Sequence, residues 1–143
     1  MKTYVISLRK RSDRRKQLSL PFDYEFLLQD RLTGVAGIGW SLANLGCMLG
    51  HRQAIELAKK QKLEEVLVLE DDARLVAEIP KEMPSPITFL GGDNQGTHII
   101  GSHAVYYHSS TFQTILEQLP TLTQLQASEH PYMLDPYDVW LSK

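Results

Sequence analysis

Three consecutive carboxylates, Glu70, Asp71 and Asp72, close the apolar run Val66-Leu67-Val68-Leu69. An unbroken run of valine and leucine reads as a strand covered on both faces, so the acids stand at its C-terminal end. In open α/β sheets that end is where ligands bind. Carboxylates massed there repel one another unless a cation or hydrogen-bond donors compensate. Oxygen donors of this kind suit Mg2+ or Mn2+, which are hard ions. A solvated acidic turn is the alternative, and the buried strand in front weighs against it.

A basic counterpart lies near the start of the chain. Lys2, Arg9, Lys10, Arg11, Arg14, Arg15 and Lys16 face only Asp13 within the first sixteen positions, although the whole chain carries a net charge of −2. Such an edge attracts phosphates. A nucleic-acid duplex normally takes an extended basic face, whereas this patch is short, so no nucleic-acid partner is expected. A nucleotide diphosphate is the more economical ligand, and the guanidinium forks of Arg9 and Arg14 suit its phosphates; simple surface charge is their alternative. His51 sits on a helical face otherwise made of Cys47, Met48, Ala54, Ile55 and Ala58, where a hydrogen-bonded core histidine is commoner than a catalytic one. Cys47, the single cysteine, reads as a small apolar residue in a reducing compartment.

The elements that must position these groups follow from local pattern. Residues 3–8 and 24–28 have strand composition, and a helix from Ser12 to about 20 is stopped by Pro21. Gly34, Gly37 and Gly39 mark a loop, after which Asn44 can cap a helix to about 61. The acid-tipped strand follows, so the order is strand, helix, strand, helix, strand, which predicts a mainly parallel sheet with helices on both sides. Further on, the spacing predicts a strand over 87–90, a flexible loop over 91–96, short strands over 98–101 and 104–108, and a helix capped by Ser109-Ser110 to about 119. The tail mixes Tyr132, Tyr137 and Trp140 with Asp135 and Asp138, and is expected to fold back rather than fray.

With 143 residues the chain reads as one domain spanning 1–143. Apolar residues make up 43% and charged residues 22%, and no apolar stretch approaches the roughly 20 residues that cross a bilayer. Nor does the N-terminus resemble a signal peptide, so a soluble cytoplasmic protein, one that could sit peripheral to a membrane, is expected.

Six ordered segments resemble glycosyltransferase family 25, the lipooligosaccharide and collagen galactosyltransferase type. Tyr4-Val5-Ile6-Ser7-Leu8, followed by Arg9 and Asp13-Arg14-Arg15, is similar to its opening V-I-S-L-x-R-x-x-D-R, and Leu45-Gly46-Cys47-Met48-Leu49-Gly50-His51 to its I-G-C-x-L-S-H helix start. Leu67-Val68-Leu69-Glu70-Asp71-Asp72-Ala73 is similar to its acidic L-x-L-E-D-D-A/V segment, and Phe89-Leu90-Gly91-Gly92 to its Y-L-G strand end. Gly101-Ser102-His103-Ala104 resembles its G-T-H-A, and Asp138-Val139-Trp140-Leu141 its closing D-x-x-L. Gly50 departs from the family serine, and the connections after the acidic motif are shorter than the family's.

The resemblance implies a GT-A-like domain that moves a hexose from a nucleotide diphosphate sugar, UDP-galactose or UDP-glucose, to a saccharide or protein hydroxyl, with inversion. It implies Asp72 as the direct ligand of Mn2+ or Mg2+, with Glu70 and Asp71 holding the ribose or metal-bound water, and strand alternation would point Glu70 and Asp72 to the same side. Arg9, Arg14, His51 and His103 are carried over as donor-binding residues. Inversion needs a carboxylate base; Asp138, in a matched segment, is favoured over Asp93, and a helix cap is its bland alternative. The pared connections keep open a noncatalytic relative that binds a nucleotide sugar or a protein. A metal-dependent phosphate enzyme such as a nuclease is the remaining alternative.

Overall fold

The computed structural model describes residues 1–36, 39–94 and 99–128; for 39–41, 92–94 and 99–103 it describes the backbone only. In chain order the elements are β1 (Lys2–Leu8), α1 (Ser12–Gln17), β2 (Glu25–Gln29), α2 (Gly39–Lys60), β3 (Glu65–Glu70), β4 (Ile87–Asn94), β5 (Ile99–His108), a 3₁₀ turn (Ser109–Thr111), α3 (Phe112–Gln118) and α4 (Leu122–Ala127). The five strands form one sheet in the order β2-β1-β3-β5-β4.

The expected mainly parallel sheet is corrected to a mixed one. β1 runs parallel to β2 and β3, whereas β5 is antiparallel to both β3 and β4. The cause is the missing helix after β3: without a crossover, β4 and β5 form an antiparallel hairpin that docks its second strand on β3. β4 also continues through Gly91, where a flexible loop is expected, and β5 is a single strand rather than two. Pairing with β5 satisfies the glycine-rich backbone, and the register shifts at Phe89/Gly91 and Gly91/Asp93 absorb its irregularity.

Both sheet faces are covered, which is why β1 and β3 read as apolar runs rather than alternating ones. Tyr4, Ile6, Val66, Val68, Val105 and Tyr107 point to the face covered by α2, α3 and α4. Val5, Leu67 and Leu69 point to the other, packed by Leu18, Leu20, Phe22, Tyr24, Ala73 and Ile79 from the connecting segments. Met48, His51, Ala54, Ile55 and Ala58 of α2 are buried as the spacing predicts, while Cys47 is only half-buried. α1 is shorter than expected, begins at Ser12 without a side-chain cap, and buries none of its residues. α4 is an element the irregular-looking tail concealed; its Thr121 and Gln124 form a capping box. No helix among the described residues is long and apolar enough to cross a membrane.

At Gly50, α2 packs close against the sheet. A Cβ there would lie 2.8 Å from two Ile6 side-chain atoms and 2.9 Å from Gln29 Oε1, whereas one on Gly46 would meet nothing within 4 Å. Gly46 and Gly50 therefore predict opposite results. Gly50→Ala overpacks a buried contact and lowers stability by about 1–3 kcal/mol. Gly46→Ala raises it by roughly 0.5–1 kcal/mol through helix propensity. Chemical denaturation of both variants checks this; a stabilised Gly50→Ala would show that the helix shifts without cost.

Candidate functional site

Chain order and strand order together define a crevice. From β1 the chain passes to β2 on one side, then α2 carries it across to β3 on the other, so the connections diverge between β1 and β3. Ligands of open α/β sheets bind outside the carboxyl ends of strands at such a switch point. Ile6 pairs with Glu70, so the next residues on the two strands, Ser7 and Asp71, meet at the mouth of this crevice.

Asp71 is the buried acid of the three, at 8% exposure. Its Oδ2 accepts from Ser7 Oγ at 2.7 Å and its Oδ1 from Arg14 Nη1 at 3.2 Å. Arg14 remains 40% exposed, so its side chain is also in contact with solvent. Arg15 is committed to the β1 end: Nη1 donates to the Ser7 side-chain Oγ at 3.1 Å and to the backbone Leu8 O at 2.7 Å, and Nη2 to the backbone Arg9 O at 3.0 Å. It clamps the turn that presents Arg9, whose Nε contacts Asp30 Oδ1 at 3.2 Å in solvent. Arg11 forks onto Asp13 at 3.0 and 2.9 Å, and this hydrogen bonding holds the Asp13 carboxyl down at about 2. The basic cluster is thus divided between scaffold and surface. Sequence reasoning missed Arg15 and Ser7; a serine between Ile6 and Leu8 in the apolar β1 run was the available signal.

Glu70 turns the other way. Its Oε1 accepts from Cys47 Sγ at 3.1 Å, and the ligand atoms of Cys47, His51 and Glu70 lie within 4.8 Å of one another. His51 is fully buried, with Nδ1 2.7 Å from the Tyr107 hydroxyl and the rings in edge contact at 5.9 Å. Burial pushes its imidazole down to about 3, so the ring is neutral at physiological pH. This corrects the reading of Cys47 as simply an apolar filler.

Strand alternation was expected to bring Glu70 and Asp72 to one side. β3 instead ends at Glu70, and a turn closed by Ala73 N donating to Glu70 O at 3.0 Å leaves Asp72 exposed. The three acids therefore enter three environments, and Asp71 is already compensated by Arg14 and Ser7. Among the described residues the acidic trio does not gather the oxygen donors that an Mg2+ or Mn2+ ion demands. Asp93 stands in β4 opposite Ile100, and His103 in β5 one residue before Ala104, the partner of Leu69; their side chains lie outside the described structure. Asp138 lies outside the described residues.

A cavity of about 590 Å³ opens beside the β2 end of the same sheet edge, lined by Asp30, Leu32, Leu49, Arg52, Thr121 and Gln126 among others. Arg52 is anchored there by an ion pair to Glu56 and a 3.2 Å hydrogen bond to Leu116 O. The cavity meets the switch point through Gln29, whose backbone carbonyl accepts from Arg9 N at 2.8 Å, and through Asp30, the partner of Arg9 Nε. Ser7, Arg14 and Asp71 meet at the mouth between β1 and β3, which on that ground is the candidate site, while Cys47, His51 and Glu70 group on the α2 side of the same strand end. Comparison of the chain with protein-family models gave no match, and neither did comparison with curated proteins.

Proposed function

We propose that this chain is a GT-A-like glycosyltransferase domain of the family 25 type, which binds a nucleotide diphosphate sugar at the switch point between β1 and β3. The observation that supports the reading is that three resemblance segments come together around the C-terminal end of β3, on its two sides. The end of β1 and the start of α1 supply Ser7, Arg9 and Arg14; α2 supplies Cys47 and His51; β3 supplies Glu70 and Asp71. The donor is UDP-galactose or UDP-glucose, and the acceptor a saccharide or protein hydroxyl.

In such a transfer the departing diphosphate gains negative charge, and positioned cations lower the barrier where that charge develops. Arg14, half-exposed and held by Asp71, is the cation proposed to do so, with Arg9 at the rim. Its guanidinium offers several donors in a fixed fork, so one edge serves Asp71 while another meets an oxyanion. Asp138, or Asp93, is the proposed acceptor base. The dispersal of Glu70, Asp71 and Asp72 favours a second reading, a relative that binds the nucleotide sugar without transferring it.

Calorimetry with UDP and the two UDP-hexoses, with and without Mn2+, tests the proposal. Binding weakens roughly ten- to a hundredfold in Arg14→Ala, the cost of a charge-assisted hydrogen bond. Absence of binding, or equal affinity in a folded Arg14→Ala protein, overturns it. Release of UDP from the bound donor separates the transferase from the binding relative.

A further inference from the structure

We propose that Cys47, His51 and Glu70 form a three-ligand site for a divalent transition metal, Zn2+ before others, with a fourth position open to water or a ligand. The site is distinct from the Asp72-centred one that the acidic motif implies, and does not depend on the nucleotide-sugar reading.

The backbone preorganises it. Cys47 and His51 are four residues apart on α2 and so share a helix face. That face lies over the C-terminal end of β3, where Glu70 terminates the strand and receives the thiol at 3.1 Å. Ligand atoms of a tetrahedral zinc ion stand roughly 3.3–3.8 Å apart, given metal–ligand distances of about 2.0–2.3 Å. The trio, already within 4.8 Å, closes on an ion with side-chain adjustments of about 1 Å.

The donor types select the metal. A thiolate and an imidazole beside a single carboxylate suit Zn2+ or Co2+, whereas Mg2+ and Mn2+ seek oxygen. His51 is fully buried and brings an imidazole nitrogen to the thiol and the carboxylate. When Nδ1–H donates to the Tyr107 oxygen at 2.7 Å, the lone pair falls on Nε2, the arrangement in which an outer hydroxyl orients a metal-bound histidine. Cys47 is the group that must ionise: its S–H bond breaks, sulfur bonds the metal, and one proton leaves to solvent. Thiolate and carboxylate then balance the two positive charges. Cys47 and Glu70 are half-buried, which gives the ion a way in past the buried histidine.

The test uses the whole chain stripped with chelator and titrated with Co2+ and Zn2+. Expected are one equivalent bound, a thiolate-to-cobalt charge-transfer band abolished by Zn2+, and close to one proton released, read from calorimetry in buffers of different ionisation enthalpy. Glu70→Gln keeps an acceptor for the Cys47 thiol and is the variant most certain to fold; it weakens Zn2+ at least about tenfold, and Cys47→Ser abolishes the band. A wild-type protein without the band, or one whose band and affinity survive Cys47→Ser, overturns the site. Because the cobalt spectrum is read without nucleotide, its outcome stays separate from that of UDP binding.

Discussion

Alanine in place of Asp71 lowers stability by about 2–3 kcal/mol, a fall in melting temperature of roughly 6–12 °C for a chain of this size. Most of the loss comes from Ser7, which is 2% exposed and donates its hydroxyl to the Asp71 carboxylate at 2.7 Å. A hydrogen bond to a charged group is worth about 1.5–3 kcal/mol. Arg14 contributes less, because at 40% exposure water solvates it once its partner is gone. Asp71→Asn, which keeps an acceptor for Ser7, is correspondingly milder. Thermal melts of both variants, and a cycle with Ser7→Ala, measure the coupling; a melting temperature for Asp71→Ala within a degree or two of the parent would show that this contact carries no stability.

Acidifying the metal-free protein from pH 7.5 to pH 5 costs about 2 kcal/mol through His51 alone. The ring titrates at about 3 when folded, against its ordinary value of 6.5, because burial disfavours the imidazolium. A depressed base binds fewer protons folded than unfolded, so its neutral form favours the native state above pH 6.5 and that advantage is lost as pH falls from 6.5 towards 3. Below pH 6.5 the slope approaches 1.4 kcal/mol per pH unit. Glu70, the Cys47 thiol and the Tyr107 hydroxyl face the ring, and none of them supplies a fixed positive charge that would add to the penalty. Denaturation in chelator at a series of pH values, for wild type and His51→Gln, isolates the effect. Equal slopes in the two proteins between pH 7 and 5 would locate the acid sensitivity elsewhere.

The metal proposal adds a condition to this second result. An ion held by Cys47, His51 and Glu70 competes with protons for the thiolate and imidazole, so loading should stabilise the protein at neutral pH and steepen its decline in acid. The two chemistries meet in one small region, since Glu70 and Asp71 are consecutive: one faces α2 and the other faces β1 and α1.

Pattern alone revealed the strands β1, β2 and β3 and the buried face of α2, because side-chain periodicity reflects burial directly. It misjudged the hairpin of β4 and β5, because a glycine-rich segment carries no periodicity and its strand state is imposed by the partner that hydrogen-bonds it. It also assigned Glu70 and Asp72 to one side by extending alternation past the residue where β3 stops, and a turn of backbone reversed the geometry.

Residue types and spacing determined that carboxylates terminate a buried strand, that a basic segment follows β1, and that Cys47 and His51 share a helix face. Only the tertiary structure decided which acid is buried, which arginine meets it and which carboxylate receives the thiol. These partners are separated by 64, 57 and 23 positions along the chain, so the contacts exist only after the sheet order has brought the ends of β1 and β3 together beneath α2. Local physics selects helices and strands; the pairing of polar groups is set by which strand ends up beside which, and no window of neighbouring residues contains that information.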